Sequence, residues 1–133
     1  MQSRQNINRD QAAFERKRYT FSEAVKKGEV IAISGIVSED SEGHTLWPGD
    51  LEAQTREIYE HIKALLEASG ATFDDVIKTV DYITPEALPN YSVTAKVRRE
   101  YFKGNFPAAT GIVVNRLLHD DWLIEIDALA VLD

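Results

Sequence analysis

The sequence predicts a small α+β protein with one mixed β-sheet and two helices packed on one face of that sheet. Its periodic segments run in the order strand pair, helix, strand, helix and strand pair, which is typical of a single sheet covered by helices. The length of 133 residues lies near the commonest size of a single domain. The 44% of hydrophobic residues is enough for one core. We therefore expect a single domain over residues 1–133.

The N-terminal part of the chain predicts a polar arm followed by a β-hairpin. Residues 1–17 are mostly polar and lack clear periodicity, so this arm is expected to be flexible or docked on a neighbour. Tyr19–Phe21 fits a short strand, and Val30–Ser34 fits a buried, β-branched strand. The segment Lys27–Glu29 predicts the turn between them.

The strongest helix signal lies between residues 50 and 70. Asp50 is a favourable N-cap and Gly70 is a favourable stop, so we expect a helix that ends at about Ser69. Apolar residues at spacings of three, four and seven would form its buried face. They are Leu51, Ile58, Ile62, Leu65 and Leu66. The preceding segment, Ser38–Asp50, predicts a surface loop long enough to form a lid or rim.

The second half of the chain predicts a strand, a helix and two further strands. Val76–Thr84 suits a half-buried strand, and Pro85–Phe102 suits an amphipathic helix with a proline in its first turn. Thr110–Asn115 and Leu123–Leu132 fit the final two strands.

The last predicted strand has two different faces. We expect its inward residues to be Ile124, Ile126 and Leu129. Glu125 and Asp127 would face the opposite side, before the alternation slips.

The charge balance argues against nucleic acid and membrane partners. Acidic residues outnumber basic ones by 22 to 15, for a formal charge of −7, and this field repels phosphate backbones and anionic lipids. The basic clusters Arg16–Arg18 and Lys96–Arg99 are short enough to be solvated surfaces. The sequence has no run of 18 apolar residues and no apolar leader, so we expect a cytoplasmic protein.

The sequence predicts no metal and no cofactor. It has no cysteine, which excludes disulfides, thiolate nucleophiles and cysteine-bound metals. His44, His61 and His119 lack the spacing of metal ligands, and His61 is expected at the helix surface. His119 and Trp122 are expected in a turn before the last strand. A subunit contact or a substrate-facing acid or base is the alternative.

Several segments share their sequence and order with one protein family. They are Phe21–Val25, Ile33–Gly35, Asp50–Thr55, Ala68–Ala71, Asp74–Thr79, Tyr101–Phe102, Phe106–Ala108 and Glu125–Val131. From about Tyr19 to the C-terminus, the chain resembles the Rid family, the YjgF-like reactive intermediate deaminases. The resemblance implies a chorismate-mutase-like fold and a homotrimer with three clefts between its subunits. It also implies that enamines and imines are hydrolysed there to keto acids and ammonia, without a cofactor.

The chain departs from the family pattern at three polar positions. Ala109 follows Pro107–Ala108, where the deaminating branch has an arginine that holds the substrate carboxylate through two parallel hydrogen bonds. Phe21 stands at the position of a cleft tyrosine, and Ala95 at that of an asparagine. The resemblance therefore implies a substrate held differently from short 2-imino acids.

The resemblance assigns the reaction to Glu125, at the position of the glutamate that positions or activates water. Ser34, the Gly35 backbone and Thr110 would hold the substrate. A carboxylate buried beside apolar Phe21 is expected to have a raised pKa, which suits a general base or acid. The alternative for Ser34 and Thr110 is that their hydroxyls satisfy local backbone groups.

Two other side chains are candidates for the same cleft. Arg116 shares a strand face with Thr110 and could replace the missing cation. The alternative for Arg116 is a purely structural role. The alternatives for Glu125 are that it pairs with Arg116 or faces solvent on an edge strand. Trp47, in the long loop, could close over the cleft or contact another subunit.

These observations favour a hydrolytic deaminase of a divergent Rid branch. Its substrate would be a small enamine, imine or unsaturated amino acid such as 2-aminomuconate. The alternative is a non-catalytic, small-molecule-binding or regulatory trimer that uses the same cleft. Ala109 and Phe21 favour this alternative because they make the cleft more apolar.

Overall fold

The computed structural model describes residues 3–133 and contains one six-stranded mixed sheet. The strands are β1 (Arg4–Ile7), β2 (Ala24–Lys27), β3 (Val30–Ile36), β4 (Val76–Ile83), β5 (Ala108–Val113) and β6 (Ile124–Val131). The helices are α1 (Gln11–Arg16), α2 (Leu51–Ala68) and α3 (Val93–Phe102), with short 3-10 turns at Phe73–Asp75 and Leu88–Asn90. The strand order is β1-β2-β3-β6-β4-β5, and β4 and β5 run parallel. The predicted α+β fold with one mixed sheet is confirmed.

The predicted hairpin forms, but its first strand lies further along the chain. β2 pairs antiparallel with β3, and Lys27 lies opposite Val30. The connecting turn contains Gly28, whose φ of 60° is a conformation that glycine adopts without strain. Tyr19–Phe21 is not a strand. The Tyr19 and Phe21 rings instead pack edge-on against Phe14, at centroid distances of 4.8 and 5.4 Å.

The N-terminal arm belongs to the sheet. β1 pairs antiparallel with β2 along its whole length, and Asp10 caps α1 by accepting a hydrogen bond from the Ala13 amide. The expectation of a flexible or neighbour-docked arm is therefore wrong for residues 4–16. The free edge of β2 offers backbone N–H and C=O groups with which β1 forms hydrogen bonds. The polar composition of the arm does not predict this pairing. Residues 1 and 2 of the predicted arm lie outside the described residues.

Helix α2 begins at the predicted cap and carries the predicted core face. The Asp50 carboxylate accepts a hydrogen bond from the Ala53 amide at 3.0 Å, and the helix is followed by Gly70 with a φ of 79°. All five predicted apolar residues are buried. The expected surface position of His61 is wrong, since only 11% of its side chain is exposed and it pairs with Glu57. α1 and the loop before α2 cover this side of the helix.

The second helix is shorter than predicted. The 3-10 turn Leu88–Asn90 precedes α3, because Pro89 has no amide hydrogen and restricts the residue before it. Arg98 is not part of a solvated surface as expected: it donates to Tyr59 Oη at 2.8 Å and to Thr79 Oγ1 at 3.1 Å. None of the helices in residues 3–133 has the length and apolar character needed to cross a membrane.

Strand β6 is central, with β3 on one side and β4 on the other. Its face toward the helices is buried and consists of Ile124, Ile126, Ala128 and Ala130. Leu129 was expected inward and lies half-buried on the opposite face, because the alternation continues through alanines and does not slip. We call this opposite face the open face. Its central residues are Val80, Tyr82, Glu125, Asp127 and Leu129.

Candidate active site

The Glu125 carboxylate lies directly against the backbone of Gly35. A Cβ atom added at residue 35 would lie 2.2 Å from Glu125 Oε2 and 2.8 Å from its Cδ, distances at which two atoms overlap. Gly35 lies where the register between β3 and β6 shifts, between Ile33 and Ile36. The missing side chain at residue 35 therefore creates the space in which the carboxylate rests.

The surroundings of Glu125 favour its protonated form. Burial raises the pKa of its carboxyl group, and the nearby negative charge of Asp127 raises it further. Within residues 3–133 no donor forms a hydrogen bond with the Glu125 carboxylate that would oppose this effect. The half-buried side chain therefore has the properties expected of a general acid or base.

Asp127 has a defined partner on the neighbouring strand. Tyr82 lies opposite Glu125 in the register between β4 and β6, and its hydroxyl donates to Asp127 Oδ2 at 3.0 Å. This hydrogen bond holds the Asp127 carboxylate on the open face, two residues from Glu125. The sequence predicted that Glu125 and Asp127 share one face of β6, but it did not predict that Tyr82 lies beside them. The pairing register of two strands that are far apart in sequence cannot be deduced from the sequence of either strand alone.

Ser34 and Phe21 lie beside Gly35, with roles that differ from each other. Ser34 Oγ donates to the Ser22 carbonyl at 2.6 Å, so its hydroxyl satisfies a local backbone group, as the alternative interpretation held. Phe21 is exposed and, together with Gly35, lines a small recess in the surface. Within one chain, Phe21, Ser34, Gly35 and Glu125 therefore form one neighbourhood.

The candidates on β5 lie away from Glu125 of the same chain. Ala109 lies opposite Thr79 of β4, whereas Glu125 lies opposite Tyr82. Three residues along a strand span about 10 Å, and β4 separates the two positions. Thr110 Oγ1 accepts a hydrogen bond from Lys78 Nζ at 2.7 Å. A single chain therefore does not bring Ala109 and Thr110 to the Glu125 neighbourhood.

Glu125 neither pairs with Arg116 nor lies on an edge strand, the two alternatives to a catalytic role. Arg116 donates to Asp120 Oδ1 at 2.6 Å in an exposed pair, so its charge is engaged within its own loop. β6 is the fourth of six strands, so Glu125 is not on an edge strand. The carboxylate is half-buried on the open face, against the backbone of Gly35.

The two tryptophans and His119 lie outside this neighbourhood. Trp47 Nε1 donates to Glu57 Oε1 of α2 at 3.1 Å, so its ring packs on the helix and does not close over Glu125. The amide of Trp122 donates to the His119 carbonyl at 3.1 Å, which confirms the predicted turn. Their rings lie 5.5 Å apart.

The comparison with known proteins identifies the family. Residues 12–132 match the family model described as Endoribonuclease L-PSP. The chain belongs to the Rid (YjgF/RutC) family. A RutC family protein of Pyrococcus horikoshii is 37% identical to it over 110 residues, which is 83% of this chain and 85% of the relative. The predicted family membership is thereby confirmed.

Solved structures of other proteins share the fold. A protein of unknown function from Pseudomonas aeruginosa superposes with a TM-score of 0.84 at 30% identity, over 100% of this chain and 95% of that one. A Rid family protein of Yersinia pestis superposes with a TM-score of 0.77 at 30% identity, over 85% and 88% of the two chains. Rid membership supports a role in imine or enamine deamination or a related activity.

Proposed function

We propose that this Rid protein is a hydrolytic deaminase that uses Glu125 to activate water against a small enamine or imine. The supporting observation is the position of the carboxylate. It is half-buried against Gly35, has no hydrogen-bond donor among residues 3–133, and has a pKa raised by burial and by Asp127. A carboxylate with a raised pKa in such surroundings is able both to take up and to return a proton.

The proposed reaction begins with the protonated imine, or iminium, form of the substrate, whose nitrogen already carries two protons. The Glu125 carboxylate accepts a proton from water while the water oxygen bonds to the carbon of the C=N group. The resulting carboxylic acid then donates its proton to the amino nitrogen as the C–N bond breaks, and ammonia leaves. The remaining hydroxyl group loses its proton to water and becomes the carbonyl of the keto product. Glu125 acts first as a base and then as an acid.

The charges near Glu125 suit a protonated imine. Glu125 and Asp127 are both acidic and Phe21 is apolar, so this neighbourhood favours the cationic iminium group over a free carboxylate. A substrate carboxylate, as in a 2-aminomuconate-like molecule, would bind elsewhere on the cleft. Lys78, hydrogen-bonded to Thr110 on the same sheet face, supplies a positive charge for it in place of the family arginine, whose position is Ala109.

The distance between these groups supports a site shared between subunits. We propose a homotrimer in which Lys78 and Thr110 of one subunit face Glu125 of the next. The exposed apolar residues of β5 and the loop that follows it support such a contact: Ile112 and Val113 are 42% and 46% exposed, and Leu118 is 92% exposed.

Nucleic acid remains a poor partner for a chain with a net charge of −7. A chain without cysteine suits the reducing cytoplasm.

The second candidate function is a non-catalytic trimer that binds small molecules in the same cleft. Ala109 at the position of the family arginine and the engagement of Ser34 with the Ser22 carbonyl favour it, because both remove polar contacts to a substrate. The two functions differ in what Glu125 does. A catalyst needs its proton transfer, whereas a binding protein needs only the shape of the site.

The experiment that separates them measures ammonia release from freshly generated enamines, imines and 2-aminomuconate by the purified protein. Turnover of one substrate that Glu125→Gln abolishes, and that the exposed control Glu67→Gln retains, is the expected result. Uncatalysed rates for the whole panel would favour the binding function. Equal turnover by Glu125→Gln and the unmodified protein would contradict the proposed role of Glu125. Sedimentation analysis of the same sample tests the trimer.

A further inference from the structure

A second cavity lies beside α1, on the side of α2 that carries His61. Its walls come from α1, from the loop before α2, and from α2 itself. Its volume is about 310 Å³, at the lower end of the range of about 300–1,000 Å³ for small-molecule sites. It adjoins the recess that Phe21 and Gly35 line, because Glu23 and Glu39 line both.

Most charged groups in the wall of this cavity already have partners. The Arg9 guanidinium forms a two-pronged ion pair with the buried Glu23 carboxylate, with Nε at 3.1 Å from both oxygens. Asp10 caps α1. Asp40 Oδ1 accepts hydrogen bonds from two backbone amides of its own loop, each at 2.9 Å. These three carboxylates are therefore engaged within the protein.

Glu39 is the exception. Burial raises the pKa of its carboxyl group, even though Arg9 and Lys17 lie near enough to favour its ionised form. Within the described part of the chain, neither cation forms an ion pair with it, and no hydrogen bond reaches its oxygens. An ionised, half-buried carboxylate without a donor gains from any ligand that brings a positive charge or hydrogen-bond donors.

His61 adds no positive charge to the cavity. Its Nε2 lies 2.8 Å from Glu57 Oε2, and its Nδ1 is buried without a partner among residues 3–133. Burial lowers the pKa of the imidazole and Arg9 lowers it further, against the opposing effect of Glu57. The neutral ring therefore leaves the wall with four carboxylates and one guanidinium, a balance that attracts cations.

The remaining wall is aromatic and apolar. Phe14 and Tyr19 meet edge-on at 4.8 Å between ring centroids, and Ala13 and Leu46 complete this side. Aromatic rings beside a carboxylate bind organic ammonium groups, because the ring faces carry partial negative charge. A metal ion fits less well, since no three His, Asp or Glu side chains in residues 3–133 are placed to hold one.

We propose that this cavity binds a small organic cation, a primary ammonium with a short hydrocarbon body. The ammonium group donates to the Glu39 carboxylate, and the hydrocarbon body contacts Phe14, Tyr19 and Leu46. The cavity adjoins the recess beside Gly35 and shares Glu39 with it. The proposal does not depend on the deaminase function, because its test involves no turnover.

The test is an NMR titration of the full chain with n-butylammonium chloride, following the backbone amides of Ala13, Phe14 and Glu39. n-Butanol and sodium butyrate are neutral and anionic ligands of similar size. The decisive variant is Glu39→Gln, which removes the charge at almost constant shape. Its matched control is Glu42→Gln in the same loop, where the carboxylate is exposed and pairs with Arg16 at 2.8 Å.

We expect saturable shifts with n-butylammonium below about 50 mM and none with n-butanol or butyrate. Glu39→Gln should weaken binding about tenfold or more, the effect of losing a hydrogen bond to a charged group, and Glu42→Gln less than about twofold. Absence of saturable shifts in the unmodified protein overturns the proposal. So does equal binding of n-butanol or butyrate, or unchanged affinity in Glu39→Gln.

Discussion

Replacing Gly35 by alanine tests whether the glycine creates the space for the Glu125 carboxylate. The added Cβ would lie 2.2 Å from Oε2, 2.8 Å from Cδ and 3.1 Å from Cγ of Glu125. The carboxylate must therefore move by about 1 Å to restore a normal contact. Because it is the end of a flexible side chain, we expect the cost at the low end of overpacking, about 1 kcal/mol of unfolding free energy.

The displaced carboxylate also changes its titration. It moves away from the recess beside Gly35 and gains contact with water, so the burial that raises the pKa of Glu125 is reduced and the pKa falls toward its ordinary value. The two assays are urea unfolding and a pH titration of the Glu125 side-chain carboxyl carbon by NMR. The proposed deaminase activity, measured on a substrate that the ammonia-release panel identifies, should fall in parallel.

A double-mutant cycle shows whether the effect belongs to this contact. In a Glu125→Ala background the added methyl group at residue 35 no longer meets the carboxylate, so Gly35→Ala should cost close to nothing there. An equal loss of stability in both backgrounds would show that the strain lies in the backbone of β3. An unchanged pKa of Glu125 in the Gly35→Ala protein would also refute the reasoning.

Three further predictions concern other contacts of the fold and site. Asp127→Asn removes a negative charge near Glu125, so an NMR titration should show a lower Glu125 pKa; an unchanged pKa contradicts this. Tyr91→Phe removes the donor to the buried Asp81 carboxylate and should cost about 1–3 kcal/mol in urea unfolding at pH 7, less as falling pH protonates Asp81. Asp50→Ala removes the α2 cap and should cost about 1 kcal/mol by the same assay; no loss would exclude that role.

The pH dependence predicted for Tyr91→Phe follows from the raised pKa of Asp81. Burial raises the pKa of Asp81 above its ordinary value, while the Tyr91 hydroxyl, 2.7 Å from Oδ2, lowers it. The native state therefore holds this proton to a higher pH than the unfolded chain does. Loss of Tyr91 weakens only the ionised form, so the destabilisation must shrink through the pH range in which native Asp81 becomes protonated.

Local signals in the sequence were enough for most elements. The cap at Asp50, the apolar face of α2 and the stop at Gly70 are each encoded within one helix, and the structure has all three. Elements that depend on a distant partner were missed. β1 forms only because β2 offers it an edge, and Tyr19–Phe21 is not a strand because its rings pack on Phe14.

The same division applies to the candidate site. The sequence and its resemblance to the Rid family determined the fold class, the family and the choice of Glu125 as the candidate catalytic residue. Only the tertiary structure decided that Gly35 makes room for that carboxylate, that Tyr82 holds Asp127, and that Ala109 lies a strand away from Glu125. Each of these contacts joins segments that are far apart in sequence. They depend on strand register and side-chain packing, which are determined by the whole core and not by any single segment.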